Sequence, residues 1–136
     1  MPDMPGRTLY LGPLNDSRRW DQVEIRPDDV IVVTPPKCGT TQIQTIVALP
    51  FSADPEIETR LTIKMPWIDV RLREMPEVAA RRSAMRSRRC LKSPTPLDRL
   101  PLDAHARYLC VFRYPLDAHV SCRAHMRDIP LRIFDH

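Results

Sequence analysis

The sequence of 136 residues predicts an α/β protein with a parallel sheet, because strand-like and helix-like segments alternate along it. The clearest strand is residues 30–34 (VIVVT), whose β-branched apolar run is typical of a strand buried on both faces. Residues 107–112 (RYLCVF) form a second clear strand, and residues 89–92 (RCLK) form a shorter one before it. No internal repeat or domain boundary is found, and the length suits one domain.

Three helices are predicted from apolar spacing and from prolines that end or begin a helix. Residues 41–49 form the first helix, and Pro50 follows it as a stop. Pro76 suits the first position of a second helix that runs to about Arg88, and Pro115 opens the third. The apolar side chains of one face are Ile43, Ile46 and Val47 in the first helix and Leu116, Val120 and Ala124 in the third.

Two segments carry no regular pattern. Residues 1–28 are rich in proline and polar side chains, so we expect an irregular lead-in. Residues 51–74 are ambiguous, and KMPWIDV within them is interpreted as a short turn packed through Trp67. No apolar run approaches the roughly 20 residues of a membrane span, and residues 1–10 lack the features of a secretory signal.

Basic residues exceed acidic ones by 21 to 17, which favours anionic ligands or surfaces. Arginines concentrate between positions 71 and 89, where they are interpreted as the solvated face of a helix. A nucleic-acid interface is the weaker alternative because no aromatic side chains are interleaved with these charges, so no nucleic-acid partner is expected. The arginines concerned are Arg71, Arg73, Arg81, Arg82, Arg86, Arg88 and Arg89.

The four cysteines form no CxxC pair and have no metal-ligand spacing, so no metal site is expected. Cys90 and Cys110 lie within apolar stretches and are predicted to be core thiols. This cysteine usage, together with the missing secretory signal, indicates a reducing, cytoplasmic location.

Residues 34–41 (TPPKCGTT) join the first strand to the first helix and have the composition of an anion-binding loop. In α/β sheets, ligands bind beyond the carboxyl ends of the strands, where helix N-termini offer unpaired N–H groups. Gly39 lets an anion approach the backbone, and Lys37 adds a positive charge. Thr40 and Thr41 add hydroxyl donors. The spacing departs from GxxxxGK[ST], so no ATP or GTP site is predicted. An incidental strand-to-helix turn is the alternative.

Two further strand ends carry basic residues. Arg113 follows the strand at 107–112, where its guanidinium fork suits a phosphate, and Ser121 lies about two helical turns further on. A surface arginine, or an ion pair with Asp117, is the alternative for Arg113. Lys92 adds positive charge where the strand at 89–92 enters a loop that prolines stiffen. The alternative is that this loop has a structural role only.

Taken together and in this order, three motifs resemble those of the PAPS-dependent sulfotransferases, particularly the bacterial, cytosolic-type members. TPPKCGTTQIQ is similar to the YPKSGTTWLQ segment of that family, and RCLKSPTPLDRLP is similar to its R-x-x-KTHLPLDxLP element. FRYPLDAHVS is similar to its RNPxDxxVS element, including the eight-residue step from arginine to serine. The resemblance spans about residues 28–130.

This resemblance implies a P-loop-like, three-layer α/β/α fold with a parallel sheet. It also implies in-line transfer of a sulfuryl group from 3'-phosphoadenosine 5'-phosphosulfate (PAPS) to a hydroxyl or amine, without a metal. Lys37 would be the catalytic residue, because it neutralises the bridging oxygen as the sulfur–oxygen bond breaks. The 5'-phosphosulfate would bind the loop and first helical turn, and the 3'-phosphate would bind Arg113 and Ser121. The nucleotide-binding positions are then Lys37, Cys38, Gly39, Thr40, Thr41, Gln42, Arg113 and Ser121.

The catalytic base of the family, the histidine of KTHLP, is replaced here by Pro94, which cannot accept a proton. Three other histidines are interpreted as solvated or helix-surface side chains, because nothing in the sequence places them over Lys37. They are His105, His119 and His125.

The sequence also departs from the family pattern at two nucleotide-binding positions and in its length. Gln42 stands where a family tryptophan stacks on adenine, Cys38 replaces a serine, and no Arg-Lys-Gly motif follows. Residues 1–136 are therefore expected to be one truncated domain, the N-terminal half of the sulfotransferase fold. An incomplete sheet would leave apolar faces and an open edge, which favours self-association.

Two functions follow from the resemblance and stay open at this point. The first is sulfuryl transfer from PAPS to a small-molecule, lipid or carbohydrate acceptor, with very low or no activity expected for this chain alone. The second is a non-catalytic module that binds a nucleotide or another anion through the same residues.

Overall fold

A computed structural model of the chain describes residues 7–51, 65–83 and 88–128, without the side chains of residues 51, 77, 81 and 82. Its centre is a three-stranded sheet with the order β2-β1-β3. The strands are β1 (Val30–Val33), β2 (Cys90–Ser93) and β3 (Arg107–Cys110). Both strand pairs are parallel, which confirms the predicted sheet and the three predicted strands.

Burial differs between the central strand and one edge strand. All four residues of β1 are buried, as its apolar run predicted, because an apolar cluster covers each face of the sheet at this strand. In β3 only Tyr108 is half-buried, and the other three residues are exposed. Cys110 is therefore an exposed thiol, and its prediction as a core residue was wrong, whereas Cys90 is buried as predicted.

In the part of the chain that the structure describes, three α-helices accompany the sheet. They are α1 (Thr40–Ala48), α2 (Met75–Ser83) and α3 (Pro115–Asp128). The first and third confirm the predicted helices, with Pro115 as the first residue of α3. Pro76 is the second rather than the first residue of α2. Part of the predicted continuation toward Arg88, residues 84–87, lies outside the described residues.

The strands alternate their side chains between two apolar clusters, one on each face of the sheet. One cluster packs α1 against the sheet, and the other packs α2 and the lead-in against the opposite face. This arrangement gives the three-layer α/β/α architecture that the sequence predicted. The first cluster contains Val30, Val32, Ala48, Met65 and Cys90. The second contains Trp20, Val23, Ile31, Val33, Ile68, Val78, Leu91 and Leu100.

The lead-in is more ordered than the sequence predicted. Residues Ser17–Gln22 form a 3-10 helix, and a second short 3-10 helix follows α1 at Leu49–Phe51. The Asp16 side chain caps the first of these by accepting a hydrogen bond from the Arg18 N–H at 3.0 Å. The helix places Trp20 in the core, where it is 1% exposed. A long-range contact of one tryptophan thus orders a segment whose composition favours irregular structure.

The segment around Trp67 also packs differently from the prediction. Met65 and Ile68 are fully buried, whereas Trp67 is half-buried. The Ile68 N–H donates to the Lys92 carbonyl at 3.3 Å, and the Lys92 N–H donates to the Pro66 carbonyl at 3.2 Å. This short stretch therefore runs parallel to β2 as an isolated bridge.

The burial of several side chains differs from the prediction. Ile46 is 61% exposed, although the other two apolar residues of its helix face pack on the core. Arg89 is buried, so the interpretation of a solvated helix face was wrong for this arginine. Leu116, Val120 and Ala124 are exposed, since α3 has no buried residue.

No helix in the described residues is both long and apolar enough to cross a membrane.

Candidate functional site

The loop after β1 turns the chain with two residues in the left-handed region. Lys37 has a φ of 64°, and Gly39, the residue before α1, has a φ of 88°. Glycine adopts this conformation freely, whereas a side chain there costs about 1 kcal/mol or more. Such strain is typical of functional loops, where the surrounding structure maintains it. The Cys38 N–H closes the turn by donating to the Pro35 carbonyl at 3.2 Å.

The first turn of α1 offers unpaired N–H groups. Gly39 supplies no side-chain cap, and the first main-chain hydrogen bond runs from the Ile43 N–H to the Gly39 carbonyl at 3.0 Å. Within the described residues, the N–H groups of Thr40, Thr41 and Gln42 therefore have no protein acceptor. The positive end of the helix dipole adds to this arrangement, which suits an anion.

A hydroxyl pair connects the end of β1 to the start of α1. The Oγ1 atoms of Thr34 and Thr40 lie 2.6 Å apart, and either hydroxyl can be the donor. Thr34 is 2% exposed and Thr40 is half-buried. The pair therefore fixes the first turn of α1 against the carboxyl end of the central strand.

A pocket of about 550 Å³ opens at this edge of the sheet, beyond the ends of β1 and β2. Of the predicted site residues, Lys37 and Thr40 line it. Cys38 is buried beneath the loop, and Thr41 and Gln42 are exposed on α1. The full lining is Pro13, Leu14, Asn15, Thr34, Pro36, Lys37, Thr40, Trp67, Lys92, Ser93, Pro94, Cys122, His125 and Met126.

Lys92 brings a second cation into this pocket from β2. Its ammonium nitrogen lies 5.4 Å from the centroid of the Trp67 ring, a cation–π contact that favours the charged form. Burial lowers the pKa of Lys92, and the charge of Asp69 acts in the opposite direction. The pocket therefore brings two lysine side chains together, Lys37 from the loop after β1 and Lys92 from β2.

Asp69 holds the loop that follows β2, a role that the sequence did not reveal. Its carboxylate is fully buried and accepts hydrogen bonds from the Ser93 hydroxyl at 2.7 Å and from the Thr95 hydroxyl. The Ser93 oxygen in turn accepts from the Trp20 indole N–H at 3.2 Å. Burial raises the pKa of Asp69. Alternating hydroxyls at positions 93 and 95 were the signal available in the sequence, but their partner lies far away along the chain.

Arg113 emerges at the same edge of the sheet as Lys37. The Val111 N–H donates to the Val33 carbonyl at 3.0 Å, so Arg113 follows two residues after the end of the β1–β3 pairing. Arg113 is exposed and makes no ion pair with Asp117 within the described part of the chain. Ser121 is half-buried on α3. Neither Arg113 nor Ser121 lines the pocket that contains Lys37.

Pro94 and His125 both line this pocket, from the loop after β2 and from α3 respectively. His125 is exposed on the surface of α3, as the sequence predicted, but it also lines the pocket with Lys37, which the sequence did not indicate. Cys122, His125 and Met126 follow an i, i+3, i+4 pattern, so one face of α3 carries all three to the pocket. His105 and His119 are exposed and do not line it.

A parallel α/β sheet whose central strand leads through a left-handed glycine into the unpaired N–H groups of a helix has the architecture in which anionic ligands bind at the carboxyl edge. The sulfotransferase domain family matches residues 27–131, and the chain belongs to that family. Among the described residues, no three His, Cys, Asp or Glu side chains form a group that would hold a metal ion.

The sulfotransferases to which this chain is similar are longer than the chain itself. It is 38% identical over 133 residues to a glycolipid sulfotransferase of Mycobacterium tuberculosis, covering 96% of this chain and 41% of that protein. A glycolipid sulfotransferase of Mycobacterium bovis matches with the same identity and coverage. Sulfotransferase 1E1 of Cavia porcellus is 28% identical over 111 residues, 75% of this chain and 38% of that protein. The chain thus spans about two fifths of the length of the mycobacterial relatives.

Proposed function

We propose that the protein transfers a sulfuryl group from PAPS to a hydroxyl group of a lipid or carbohydrate acceptor. The observation that carries this proposal is that Lys37, the first turn of α1 and Lys92 meet at one pocket. Two cations, unpaired N–H groups and a left-handed glycine fit an anionic phosphosulfate. Membership in the sulfotransferase family supports the same chemistry.

In this proposal the loop after β1 holds the 5'-phosphosulfate of the donor. Lys37, the backbone of residues 38–41 and the hydroxyls of Thr40 and Thr41 would bind its oxygens. Lys37 would also neutralise the negative charge that develops on the bridging oxygen as the sulfur–oxygen bond breaks. Most of the catalysis would then come from positioning and electrostatics, without a metal.

The remaining nucleotide contacts are proposed from the motifs. Arg113 and Ser121 would bind the 3'-phosphate, and this contact would select PAPS over plain adenylyl sulfate. Support for Arg113 comes from its position just after the strand that pairs with β1, at the same edge as Lys37. Gln42 would lie beside the adenine in place of the family tryptophan.

The acceptor side of the proposal rests on the pocket walls and on the relatives. Pro13, Leu14 and Met126 give the pocket apolar surface next to its cations. The mycobacterial relatives are named glycolipid sulfotransferases, and their identity of 38% exceeds the 28% of the guinea-pig protein. We infer an acceptor with an apolar part and a hydroxyl, in a bacterial protein that acts in the cytoplasm.

One observation favours a second candidate, a module that binds the nucleotide without transferring the sulfuryl group. Pro94 lines the pocket at the position where the family motif has its histidine, and it has no proton-accepting atom. The two candidates predict the same nucleotide affinity and differ in turnover.

Calorimetric titration with adenosine 3',5'-bisphosphate (PAP) tests the binding step that both candidates share. The Lys37→Ala variant should bind PAP about ten- to a hundred-fold more weakly, since it loses a charge-assisted hydrogen bond. Arg26→Ala removes the same charge from an exposed residue before β1, at the opposite edge of the sheet, and should bind as the wild type does. Equal affinities for all three proteins would overturn the proposed donor site.

A transfer assay with ³⁵S-labelled PAPS and octyl β-glucoside then separates the two candidates. Labelled product that disappears in Lys37→Ala supports the transferase. PAP binding without labelled product supports the binding module.

A further inference from the structure

The proposed transfer requires a group that takes a proton from the acceptor. An alcohol keeps its proton at neutral pH and is a weak nucleophile, so its hydroxyl must be deprotonated as the new sulfur–oxygen bond forms. A base can do this only within hydrogen-bond reach of the acceptor, or through one water. Any candidate must therefore line the pocket that contains Lys37.

Four titratable side chains in the described residues line that pocket: Lys37, Lys92, Cys122 and His125. Lys37 and Lys92 supply the two cations of the proposed donor site, so both must stay charged to bind the donor. Burial lowers the pKa of Lys92, but its ammonium lies over the Trp67 ring, a contact that favours the charged form. A thiol is a weaker hydrogen-bond acceptor than an imidazole, and histidine is the most frequent general base in enzymes.

The rotation of α3 about its axis determines which of its histidines borders the pocket. His125 shares one face of the helix with Cys122 and Met126, and this face borders the pocket. His119 lies six residues earlier, which rotates it by about 120° from His125 around the helix axis. Among the histidines of the described residues, His125 alone lines the pocket with Lys37.

We propose that His125 is the general base of the sulfuryl transfer, an inference that rests on the proposed function. The neutral imidazole accepts the hydroxyl proton while the acceptor oxygen bonds to sulfur. The bond between sulfur and the bridging oxygen of the donor breaks, and the leaving nucleotide keeps that electron pair as its terminal phosphate. The products are the sulfated acceptor, PAP and an imidazolium that returns its proton to water.

The acidity of the acceptor tests this assignment. With ³⁵S-labelled PAPS at pH 8, octyl β-glucoside needs a base, whereas 4-nitrophenol is already largely ionised. His125→Ala should lower transfer to the glucoside about 10²- to 10⁴-fold and leave transfer to 4-nitrophenol within a few-fold. His119→Ala, a matched change on the same helix, should alter neither rate. Equal losses for both acceptors, or no loss for either, would overturn the assignment.

A second measurement needs no turnover. In proton NMR, the C2 proton of His125 is assigned by its disappearance in the His125→Gln spectrum. Binding of PAP should shift this resonance, because the phosphates enter the pocket that His125 lines together with Lys37, Lys92 and Cys122. The His105 and His119 resonances should not respond. Both His125 variants change an exposed side chain, so the fold should be retained.

These outcomes separate the inference from the function on which it rests. If PAP binds by calorimetry but leaves the His125 resonance unchanged, the general base is refuted and the donor site stands. A protein that binds PAP but sulfates neither acceptor also removes the base and leaves the binding module. Failure to bind PAP removes both proposals.

Discussion

Arg89 and Asp29 form an ion pair in which each side chain is 2% exposed. The Nε of Arg89 donates to Oδ1 of Asp29 at 2.7 Å, and the Nη2 atom donates to Oδ2 and also to the Glu24 carbonyl at 3.1 Å. The Asp29 carbonyl accepts from the Arg107 N–H at 2.8 Å. The pair therefore joins the amino ends of all three strands, at the edge of the sheet opposite the candidate site.

Loss of this arginine should destabilise the fold strongly. Arg89→Met leaves the Asp29 carboxylate buried without its counter-charge, which should lower the free energy of unfolding by about 3–5 kcal/mol. Arg88→Met is the matched control, because Arg88 meets Asp28 at 3.6 Å with 33% of its side chain exposed. Its loss should cost about 1 kcal/mol or less. Urea unfolding measures both values, and similar losses would contradict the role assigned to the buried pair.

The conformation of Gly39 gives a second prediction. Alanine at a φ of 88° is strained, and its Cβ would lie 2.9 Å from Oε1 of Gln42, a contact that this flexible side chain can relieve. Gly39→Ala should therefore lower the free energy of unfolding by about 1–2 kcal/mol, and it should weaken PAP binding. Asparagine tolerates the left-handed region better, so Gly39→Asn should lose less stability. If both variants unfold at the same urea concentration, the backbone conformation is not the cause.

Asp69 should make stability depend on pH in an unusual direction. Because burial raises the pKa of Asp69 above its ordinary 3.8, the folded state keeps a proton that the unfolded state has lost. The stability that Asp69 contributes is full below about pH 3.8 and is lost as pH rises through the folded-state pKa. The stability of the wild type minus that of Asp69→Asn should therefore fall as pH rises above this value.

Asp16 is the control of opposite sign for this pH series. A hydrogen bond from Arg18 lowers the pKa of Asp16, so its contribution is present above about pH 3.8 and is lost as pH falls through the folded-state pKa. The difference between the wild type and Asp16→Asn should shrink on acidification. Urea unfolding from pH 3 to 8 measures both differences, and the same trend for the two carboxylates would refute the assignment for Asp69.

The exposed side of β3 should promote association between chains. Leu109 on β3 is 37% exposed, and Phe112, two residues past the strand, is 75% exposed. Leu116 and Val120 of α3 are exposed as well. Apolar side chains along an edge strand favour contact with another chain. Replacing Phe112 with Lys should weaken self-association about tenfold in sedimentation velocity, which corresponds to about 1.4 kcal/mol. Leu72→Lys changes a residue that is 61% exposed elsewhere and should have little effect. A wild-type chain that stays monomeric at all concentrations would contradict this expectation.

The sequence by itself determined the elements whose signals are local. The β-branched run of β1, the proline that opens α3 and the contiguous loop from Thr34 to Thr41 each predict structure from neighbouring residues. Lys37 could be predicted to lie in a strand-to-helix loop of the kind that binds anions, because the strand before it and the helix after it lie within a few residues. The residues that form the loop after β2 could also be recognised from their motif.

The tertiary structure alone decided which distant residues meet. Asp29 and Arg89 are 60 positions apart, and Asp69 meets Thr95 across 26, so no local period connects them. His125 reaches the pocket of Lys37 only through the packing direction of α3. Side-chain partners across a sheet depend on strand order and on the rotation of each helix. Both are set by burial of apolar surface over the whole domain, and a local sequence pattern contains neither.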